Sequence, residues 1–180
     1  MPLDFAFTEE QELFRRTLKD HFAKVLTPKS KEILKARMIT PEVHKAMTSQ
    51  GLLGLLLPKE FGGSESDYVT FTIATEELTK ADLSGVAILP ILYGPVCARV
   101  IAVYGTADLK EEVLPKIVED GWITPLHSTE PGCGTDFTEI TTTAKKTNGD
   151  YDQRGETDTE LCARGYEVWR RLHHNGEDQT

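Results

Sequence analysis

The sequence predicts a mainly α-helical protein in which a helical domain is followed by a short stretch of β-structure. Two observations predict this fold class. Up to Gly121, apolar residues recur at the spacing of amphipathic helices, behind residues that typically cap helix N-termini. After Gly121, the chain becomes rich in β-branched residues and contains a hairpin turn signal. We therefore expect a helical domain at residues 1–121, the start of a β domain at 122–156 and a divergent tail at 157–180.

The first two helices are predicted from their N-terminal caps. Thr8 and Gln11 match a capping box, in which each side chain accepts a hydrogen bond from the backbone N–H of the other residue. Behind this box, apolar residues recur at helical spacing over residues 13–26. A second helix is expected to begin at Thr40-Pro41, with Thr as the N-cap and Pro at the first helical position, and to end at Gly51.

Three further helical segments are predicted before the β-structure. Residues 67–80 have a helical pattern. The 18-residue run from Val86 to Val103 is largely apolar and close to the length that spans a bilayer. Because Gly94-Pro95 interrupts it, we predict a buried pair of helices broken at this point rather than a membrane span. Thr106 caps the last helix, which ends at Gly121.

The period of the apolar pattern changes after the last helix. Trp122–Thr129 is short, apolar and strand-like, and Thr138–Lys146 is rich in β-branched residues. Asn148-Gly149-Asp150 then predicts a hairpin, since Asn and Gly tolerate the positive φ angles of a tight turn. The strand pattern is lost from Asp152 onward, and we expect the tail to be poorly ordered.

The composition limits the classes of function. The 180 residues are 39% hydrophobic and 27% charged, with a net charge of −9, which is typical of a soluble globular protein and argues against nucleic acid or an anionic membrane as a partner. Cys97, Cys133 and Cys162 form no Cys-x-x-Cys pair and no secretory signal precedes them, which predicts free thiols in the cytoplasm. His173-His174 lacks a second ligand pair, so no metal site is predicted.

The thirteen residues HSTEPGCGTDFTE, from His127 to Glu139, form the candidate binding loop. Gly132 and Gly134 allow the backbone to turn tightly and to approach a ligand closely. Backbone N–H groups in such a turn, together with the Thr135 hydroxyl, suit phosphate oxygens. The dinucleotide-binding pattern Gly-x-Gly-x-x-Gly is not present, because its third glycine would fall on Phe137. From the spacing alone, the alternative is an ordinary glycine-rich surface turn.

Four motifs, in order along the chain, resemble the acyl-CoA dehydrogenase family. TEEQELFR resembles the opening helix of the family, and GLLGLLLPKEFGG resembles its Gly-Leu-x-Gly-x-x-x-Pro-x-x-Tyr-Gly-Gly connector. YGTADLKEEVLPKIVEDG resembles the Gly-Thr-x-x-x-Lys-x-x-x-Leu-Pro helix that leads into the β domain. TEPGCGTD, within the candidate loop, resembles the Thr-Glu-Pro-x-x-Gly-Ser-Asp signature. The resemblance covers residues 5 to about 151.

The resemblance implies a flavoprotein with an N-terminal helical domain, a central β-barrel and a C-terminal four-helix bundle. This chain would hold the helical domain and a fragment of the barrel. Such proteins use FAD to oxidise the Cα–Cβ bond of an acyl-CoA thioester to an enoyl-CoA in fatty acid metabolism, and a glutamate of the C-terminal bundle removes the α-proton. The expected partners are the acyl-CoA, an electron-transfer flavoprotein, and either further copies of the chain or a complementing chain.

By position, the resemblance also assigns the binding residues. Its first flavin loop comprises Leu126, His127, Ser128, Thr129, Glu130, Pro131, Gly132, Cys133, Gly134 and Thr135. Thr129 is expected to hydrogen-bond the polar edge of the isoalloxazine, and Thr135, which replaces the usual Ser, to reach both the pyrophosphate and the acyl-CoA. Leu126 replaces an aromatic residue that is usual in the family.

The acyl chain is expected beside residues 89–98. There the small or apolar residues Gly94, Val96 and Ala98 would leave a slot for a hydrocarbon tail. Ordinary core packing of these three residues is the alternative.

The resemblance ends after Gly155-Glu156. The family continues with Lys and a Trp-Ile-Thr or Trp-Ile-Ser motif, whereas this chain has TDTEL at 157–161. The catalytic glutamate is also missing from these 180 residues, so we assign no catalytic residue and expect a truncated or frameshifted, inactive form. Three functions stay open: an acyl-CoA dehydrogenase; a non-catalytic helical interaction module or one part of a split enzyme; and an acyl-CoA oxidase or flavin monooxygenase of the same fold.

Overall fold

Six α-helices and a β-hairpin make up most of the regular structure in the computed structural model, which describes residues 6–124, 130–147 and 150–154. The helices are α1 (Glu9–Val25), α2 (Ser30–Ala36), α3 (Pro41–Ser49), α4 (Tyr68–Ala81), α5 (Leu89–Tyr104) and α6 (Ala107–Glu119), and the strands are β1 (Thr143–Thr147) and β2 (Asp150–Arg154). The chain divides into two units, Met1–Thr124 and Pro125–Thr180. Each unit is described by itself below.

The predicted N-terminal caps are confirmed. The Thr8 hydroxyl accepts from the Gln11 N–H, and the Gln11 side chain accepts from the Thr8 N–H, both at 3.1 Å, so the capping box of α1 is complete. Thr40 and Thr106 cap α3 and α6 in the same way, by accepting a hydrogen bond from the N–H three residues later. Asp67 caps α4 by accepting from Thr70 N–H.

One helix was not predicted, and one prediction about the helices is wrong. The structure contains α2, which the sequence pattern missed because Lys29 precedes it and makes no side-chain cap. The predicted helix pair around Gly94-Pro95 is one continuous helix, α5, with Pro95 inside it. A proline within a helix costs about 3 kcal/mol, but Ile91, Pro95 and Ala98 are buried on one side of α5, and burial of each large apolar side chain contributes about 1.5–3 kcal/mol. No helix in the described part of the chain is long and apolar enough to cross a membrane.

The core of the first unit takes apolar side chains from all six helices and from the connector between α3 and α4. Within it, α1 packs on α4 and α5 packs on α6. Its fully buried side chains include Leu18, Phe22, Ile33, Val43, Met47, Leu52, Leu53, Leu57, Leu78, Ile91, Ala98, Leu114 and Ile117. Leu13, which the helical pattern of α1 also includes, is instead exposed.

The connector between α3 and α4 folds back on itself through its glycines. Backbone N–H groups of residues 64–66 donate to the carbonyl groups of Gly54, Leu55 and Leu57, at 2.8–3.0 Å. This close approach requires glycine at position 63, because a Cβ there would overlap the carbonyl group of Leu57. The Gly-Gly sequence at the end of the connector therefore has a structural cause.

A buried carboxylate ties α2 to the loop that follows α4. Asp82 accepts hydrogen bonds from the hydroxyls of Ser30 and Ser84, both at 2.7 Å, and from the Ala87 N–H at 3.1 Å. Burial by itself raises the pKa of Asp82, but the hydrogen bonds from Ser30, Ser84 and Ala87 outweigh this effect and hold the pKa below its ordinary value of 3.8. The ionised Asp82 carboxylate therefore stabilises the contact between α2 and the loop after α4 within the helical unit.

In the second unit, the predicted hairpin is confirmed and its predicted limits are partly wrong. β1 and β2 are antiparallel, and Thr147 pairs with Asp150 across the predicted turn. The first strand begins at Thr143 rather than Thr138, because residues 137–139 form a 3₁₀ turn.

The strand predicted over residues 122–129 is wrong for residues 122–124. These residues are held by contacts within the helical unit: Lys116 lies 4.9 Å from the centre of the Trp122 ring, and the Thr124 hydroxyl donates to the Gly94 carbonyl at 3.2 Å. Residues 125–129 and the predicted tail lie outside the described residues.

Candidate functional site

The candidate loop contains a tight turn closed by two backbone hydrogen bonds. Glu130 N–H donates to the Cys133 carbonyl at 3.0 Å, and Cys133 N–H donates to the Glu130 carbonyl at 3.1 Å. Pro131-Gly132 forms the tip between them. The fixed φ angle of Pro131 suits this position in a turn, and Gly132 leaves the tip without a side chain.

The Glu130 side chain anchors this turn to the segment that precedes β1. Its carboxylate accepts hydrogen bonds from the Thr141 hydroxyl at 2.7 Å, from the Thr141 N–H at 3.0 Å and from the Thr142 N–H at 2.8 Å. Glu130 is also nearly inaccessible, with 7% of its surface exposed. The carboxylate therefore acts as a brace between the two ends of the loop.

These hydrogen bonds also fix the charge of Glu130. The Thr142 and Thr141 side chains, followed by their backbone N–H groups, lower the pKa of Glu130 from 4.5 to about 2. Glu130 is thus ionised at any physiological pH. Because a general base must release and take up protons near the working pH, Glu130 is unsuited to that role.

A second set of contacts orders the far side of the turn. The buried Cys133 thiol donates to the Asp136 carbonyl, with a sulfur–oxygen distance of 2.9 Å. The Asp136 carboxylate accepts from the Thr138 hydroxyl at 2.6 Å and from its N–H at 3.0 Å. The Thr138 hydroxyl, followed by the Thr138 N–H, lowers the pKa of Asp136. Cys133, Glu130 and Asp136 are thus engaged in holding the shape of the loop.

The remaining groups of the turn are open. Gly132, Gly134 and Thr135 are exposed, and a Cβ added to either glycine would meet no atom within 4 Å. Neither glycine has a positive φ angle, so the backbone conformation does not require glycine. Their N–H groups, and the N–H and hydroxyl of Thr135, have no hydrogen-bond partner among the described residues. Donors grouped in this way, on a turn that two backbone hydrogen bonds close, can bind an anionic or strongly polar ligand.

The ten residues assigned to the flavin loop thus fall into three groups. Leu126, His127, Ser128 and Thr129 lie outside the described residues. Glu130 and Cys133 are buried and shape the turn. The other four, Pro131, Gly132, Gly134 and Thr135, are exposed. Sequence reasoning missed the brace formed with Thr141 and Thr142, because two hydroxyl residues eleven and twelve positions after a glutamate are too weak a signal.

The residues assigned to the acyl slot lie on two different faces of α5. Gly94 and Ala98 are buried and one helical turn apart, whereas Val96 is 45% exposed. The space beside Gly94 is filled by Leu53, whose Cδ2 atom would lie 3.3 Å from an added Cβ. The three residues therefore do not line one slot. Val96 instead belongs to an exposed apolar face of α5, formed by Leu89, Leu92, Tyr93, Val96, Val100, Val103 and Tyr104.

Comparison with known proteins gives one consistent result. The family model of the acyl-CoA dehydrogenase N-terminal domain matches residues 8–120. Acryloyl-CoA reductase (NADH) of Anaerotignum propionicum is 35% identical over 143 residues, which are 79% of this chain and 36% of that protein.

Two solved structures show the same similarity in three dimensions. Butyryl-CoA dehydrogenase from Megasphaera elsdenii has a TM-score of 0.72 at 31% identity, over 85% of this chain and 41% of that one. The ChsE4–ChsE5 complex from Mycobacterium tuberculosis gives a TM-score of 0.67 at 31% identity, over 85% and 39% of the respective chains. The chain thus spans about two fifths of the length of these relatives. Since the family model matches more than half of its residues, and the mainly α N-terminal fold is the one predicted, the chain belongs to the acyl-CoA dehydrogenase family.

Proposed function

We propose that this chain supplies the N-terminal helical domain and the first flavin-binding loop of an FAD-dependent acyl-CoA dehydrogenase, which oxidises an acyl-CoA thioester to an enoyl-CoA. The observation that carries this proposal is the braced turn at residues 130–136. Gly132 and Gly134 are open there although their φ angles do not require glycine, and their N–H groups have no hydrogen-bond partner within residues 6–124, 130–147 and 150–154. Membership of the acyl-CoA dehydrogenase family supports the same conclusion.

The donors present fit a flavin dinucleotide. The pyrophosphate of FAD needs N–H and hydroxyl donors that can approach it closely, and the N–H groups of Gly132, Gly134 and Thr135 meet that need. The Glu130 and Asp136 carboxylates accept hydrogen bonds within the loop itself, so they do not compete for these donors. We assign the Thr135 hydroxyl to the pyrophosphate and the acyl-CoA, and Thr129 to the polar edge of the flavin ring.

The chemistry of the reaction divides between the cofactor and the protein. When bound, the flavin supplies the acceptor for the hydride that leaves the β-carbon. The residues of this chain orient the flavin and the acyl-CoA and hold their charged groups. The exposed apolar face of α5, with Val96 near its centre, is our candidate for contact with the acyl chain. An electron-transfer flavoprotein is the proposed acceptor of the electrons.

The α-proton needs a base that we do not assign within this chain. The pKa of Glu130 is about 2 because its carboxylate accepts hydrogen bonds from Thr142 and Thr141, and the buried Glu77 is paired with Lys80 at 2.7 Å. By the family resemblance, the base is a glutamate of the C-terminal bundle. We therefore propose that a polypeptide consisting of residues 1–180 alone binds FAD weakly and does not turn over acyl-CoA.

The exposed face of α5 favours a second candidate function, namely an interaction module or one part of a split enzyme. Seven large apolar side chains on one helix form a surface that usually packs against protein or ligand. We also propose a cytoplasmic location, which the free thiols of Cys97 and Cys133 support.

The proposed function is tested by titrating the purified 180-residue chain with FAD and following flavin fluorescence. We expect weak, saturable binding that does not survive gel filtration. Thr135→Val should weaken it about tenfold or more, because it removes a hydrogen bond to a charged group. The matched control is Thr72→Val, since the exposed Thr72 hydroxyl donates only to its own helix. Equal binding by the two variants, or no binding by the unmodified chain, would contradict the proposal.

A dye-reduction assay with a series of acyl-CoAs, run with added FAD, tests the assignment of the base. We expect no turnover by residues 1–180 alone. Clear turnover would show that a base lies within this chain, and it would leave the flavin assignment intact.

A further inference from the structure

The turn that is proposed to bind the pyrophosphate begins with a buried carboxylate. Glu130 has 7% of its surface exposed, and its pKa of about 2 keeps it ionised. The open N–H groups of Gly132, Gly134 and Thr135 follow within five positions. Because like charges repel, the charge of Glu130 by itself disfavours an anion at this turn. Glu130 can favour such a ligand only through the shape that it gives to the turn.

The contacts of Glu130 require a carboxylate rather than an amide. Oε2 accepts from the Thr141 hydroxyl at 2.7 Å and from the Thr141 N–H at 3.0 Å, and Oε1 accepts from the Thr142 N–H at 2.8 Å. Each oxygen thus faces a backbone N–H, which can only donate. A glutamine would place its NH₂ group, also a donor, against one of them in either orientation of the amide.

The turn itself has few internal restraints. Two backbone hydrogen bonds join Glu130 and Cys133, and the Cys133 thiol donates to the Asp136 carbonyl. Between and beside them lie Gly132 and Gly134, and glycine loses more conformational freedom than any other residue when it is fixed. The Glu130 carboxylate closes the loop over the eleven positions to Thr141, so it restricts the conformations of the turn before a ligand binds.

We propose that Glu130 and Thr141 are positioning residues for the pyrophosphate of FAD. Their contact keeps the turn in the conformation that leaves the N–H groups of Gly132, Gly134 and Thr135 open. This role rests on the proposed function, because it assumes that the pyrophosphate binds at these donors. Both side chains act through the turn, since the Thr141 hydroxyl is engaged with the Glu130 carboxylate.

The sign of the effect of Glu130→Gln distinguishes positioning from charge. This substitution removes a negative charge with almost no change in size. If only the charge mattered, the 180-residue chain would bind FAD more tightly. We expect instead that the FAD dissociation constant, followed by flavin fluorescence, rises about tenfold, because binding-competent turns become rarer.

Two variants of Thr141 form a matched pair that leaves Glu130 in place. Thr141 is exposed, so its substitution leaves the core intact. Thr141→Val removes the hydroxyl donor and keeps the β-branched shape, whereas Thr141→Ser keeps the hydroxyl. We expect the FAD dissociation constant to rise about threefold in Thr141→Val and to stay close to normal in Thr141→Ser. This pair decides the question if Glu130→Gln does not fold.

Amide hydrogen exchange without FAD supplies a readout that does not involve flavin. The N–H groups of Cys133, Thr141 and Thr142 are hydrogen-bonded in the turn and its brace. Their exchange should be about tenfold faster in Glu130→Gln, about threefold faster in Thr141→Val and unchanged in Thr141→Ser. Exchange in the helices should be the same in all variants.

The outcomes separate the positioning role from the proposed function. Equal or tighter FAD binding by Glu130→Gln, or equal binding by the two Thr141 variants, would overturn the positioning role. If exchange becomes faster but FAD affinity is unchanged, while Thr135→Val lowers it, the brace is structural only and the proposed function stands. If the unmodified chain binds no FAD, the proposed function fails, and the positioning role fails with it.

Discussion

Replacing Gly121 with Ala tests how closely the backbone after α6 packs against α3 within the helical unit. Two separate costs apply to this substitution. An L-residue at a φ of +74° costs about 1–2 kcal/mol. The new Cβ would also overlap buried groups of α3, at 2.5 Å from Thr48 Oγ1 and 2.6 Å from His44 Cε1, and such overpacking costs about 1–3 kcal/mol. Together, these give a loss of about 2–5 kcal/mol in the free energy of unfolding.

Gly51 supplies a matched control for this prediction. Its φ is +70°, close to that of Gly121, but a Cβ added there meets no atom within 4 Å. Gly51→Ala should therefore cost only the backbone term, about 1–2 kcal/mol. The gain from restricting the unfolded chain is the same for both substitutions and cancels in the comparison.

Urea denaturation followed by circular dichroism measures both variants. The free energies are compared by linear extrapolation, with the slopes checked for equality. We expect Gly121→Ala to be less stable than Gly51→Ala by about 1–3 kcal/mol. Equal losses would refute the reasoning, because they would mean that α3 yields freely at Gly121 and that the contact with His44 constrains nothing.

Three further predictions concern single side chains. The pKa of Glu130 is lowered from 4.5 to about 2, so its contribution to the stability of the loop is complete above about pH 4.5 and is lost as the pH falls through about 2. The amide chemical shift of Thr142 should titrate with a midpoint near pH 2, and a midpoint near pH 4.5 would contradict the role of Glu130 as a brace. Asp82→Ala should lower the free energy of unfolding by about 2–4 kcal/mol in urea denaturation, because the buried Ala87 N–H loses its acceptor, and a loss below about 1 kcal/mol would contradict this role. Arg37, at the end of α2, has a φ of +53°. Arg37→Gly should therefore raise the free energy of unfolding by about 0.5–1 kcal/mol in urea denaturation, and a lower free energy of unfolding would contradict backbone strain at this position.

The helices were predictable where a local signal exists. Three threonines predict helix N-termini correctly, namely Thr8, Thr40 and Thr106. Each hydroxyl accepts a hydrogen bond from the N–H three residues later, so this signal depends only on neighbouring residues in the sequence. The start of α2 has no such side chain, and its position follows from tertiary contacts such as the burial of Ile33. The continuity of α5 through Pro95 likewise depends on core packing, which cannot be predicted from the Gly94-Pro95 pair alone.

The candidate site was predictable only in its outline. The glycines and hydroxyls of the loop indicate close approach to a ligand, and the family motif locates them. Which loop residues shape the turn and which stay exposed depends on contacts with residues further along the chain. Glu130 is a brace because Thr141 and Thr142 donate hydrogen bonds to its carboxylate. The faces of α5 are a similar case. Spacing places Gly94 and Val96 near each other in the sequence, whereas the helix turns them to opposite sides.

The central claim is that the open donors of the braced turn bind the flavin, and backbone amide NMR of the chain during an FAD titration tests it most directly. We predict that the amide signals of Gly132, Gly134 and Thr135 shift together and saturably, while those of the β1 and β2 strands keep their positions. Saturable shifts elsewhere, with these three signals unchanged, would contradict the account.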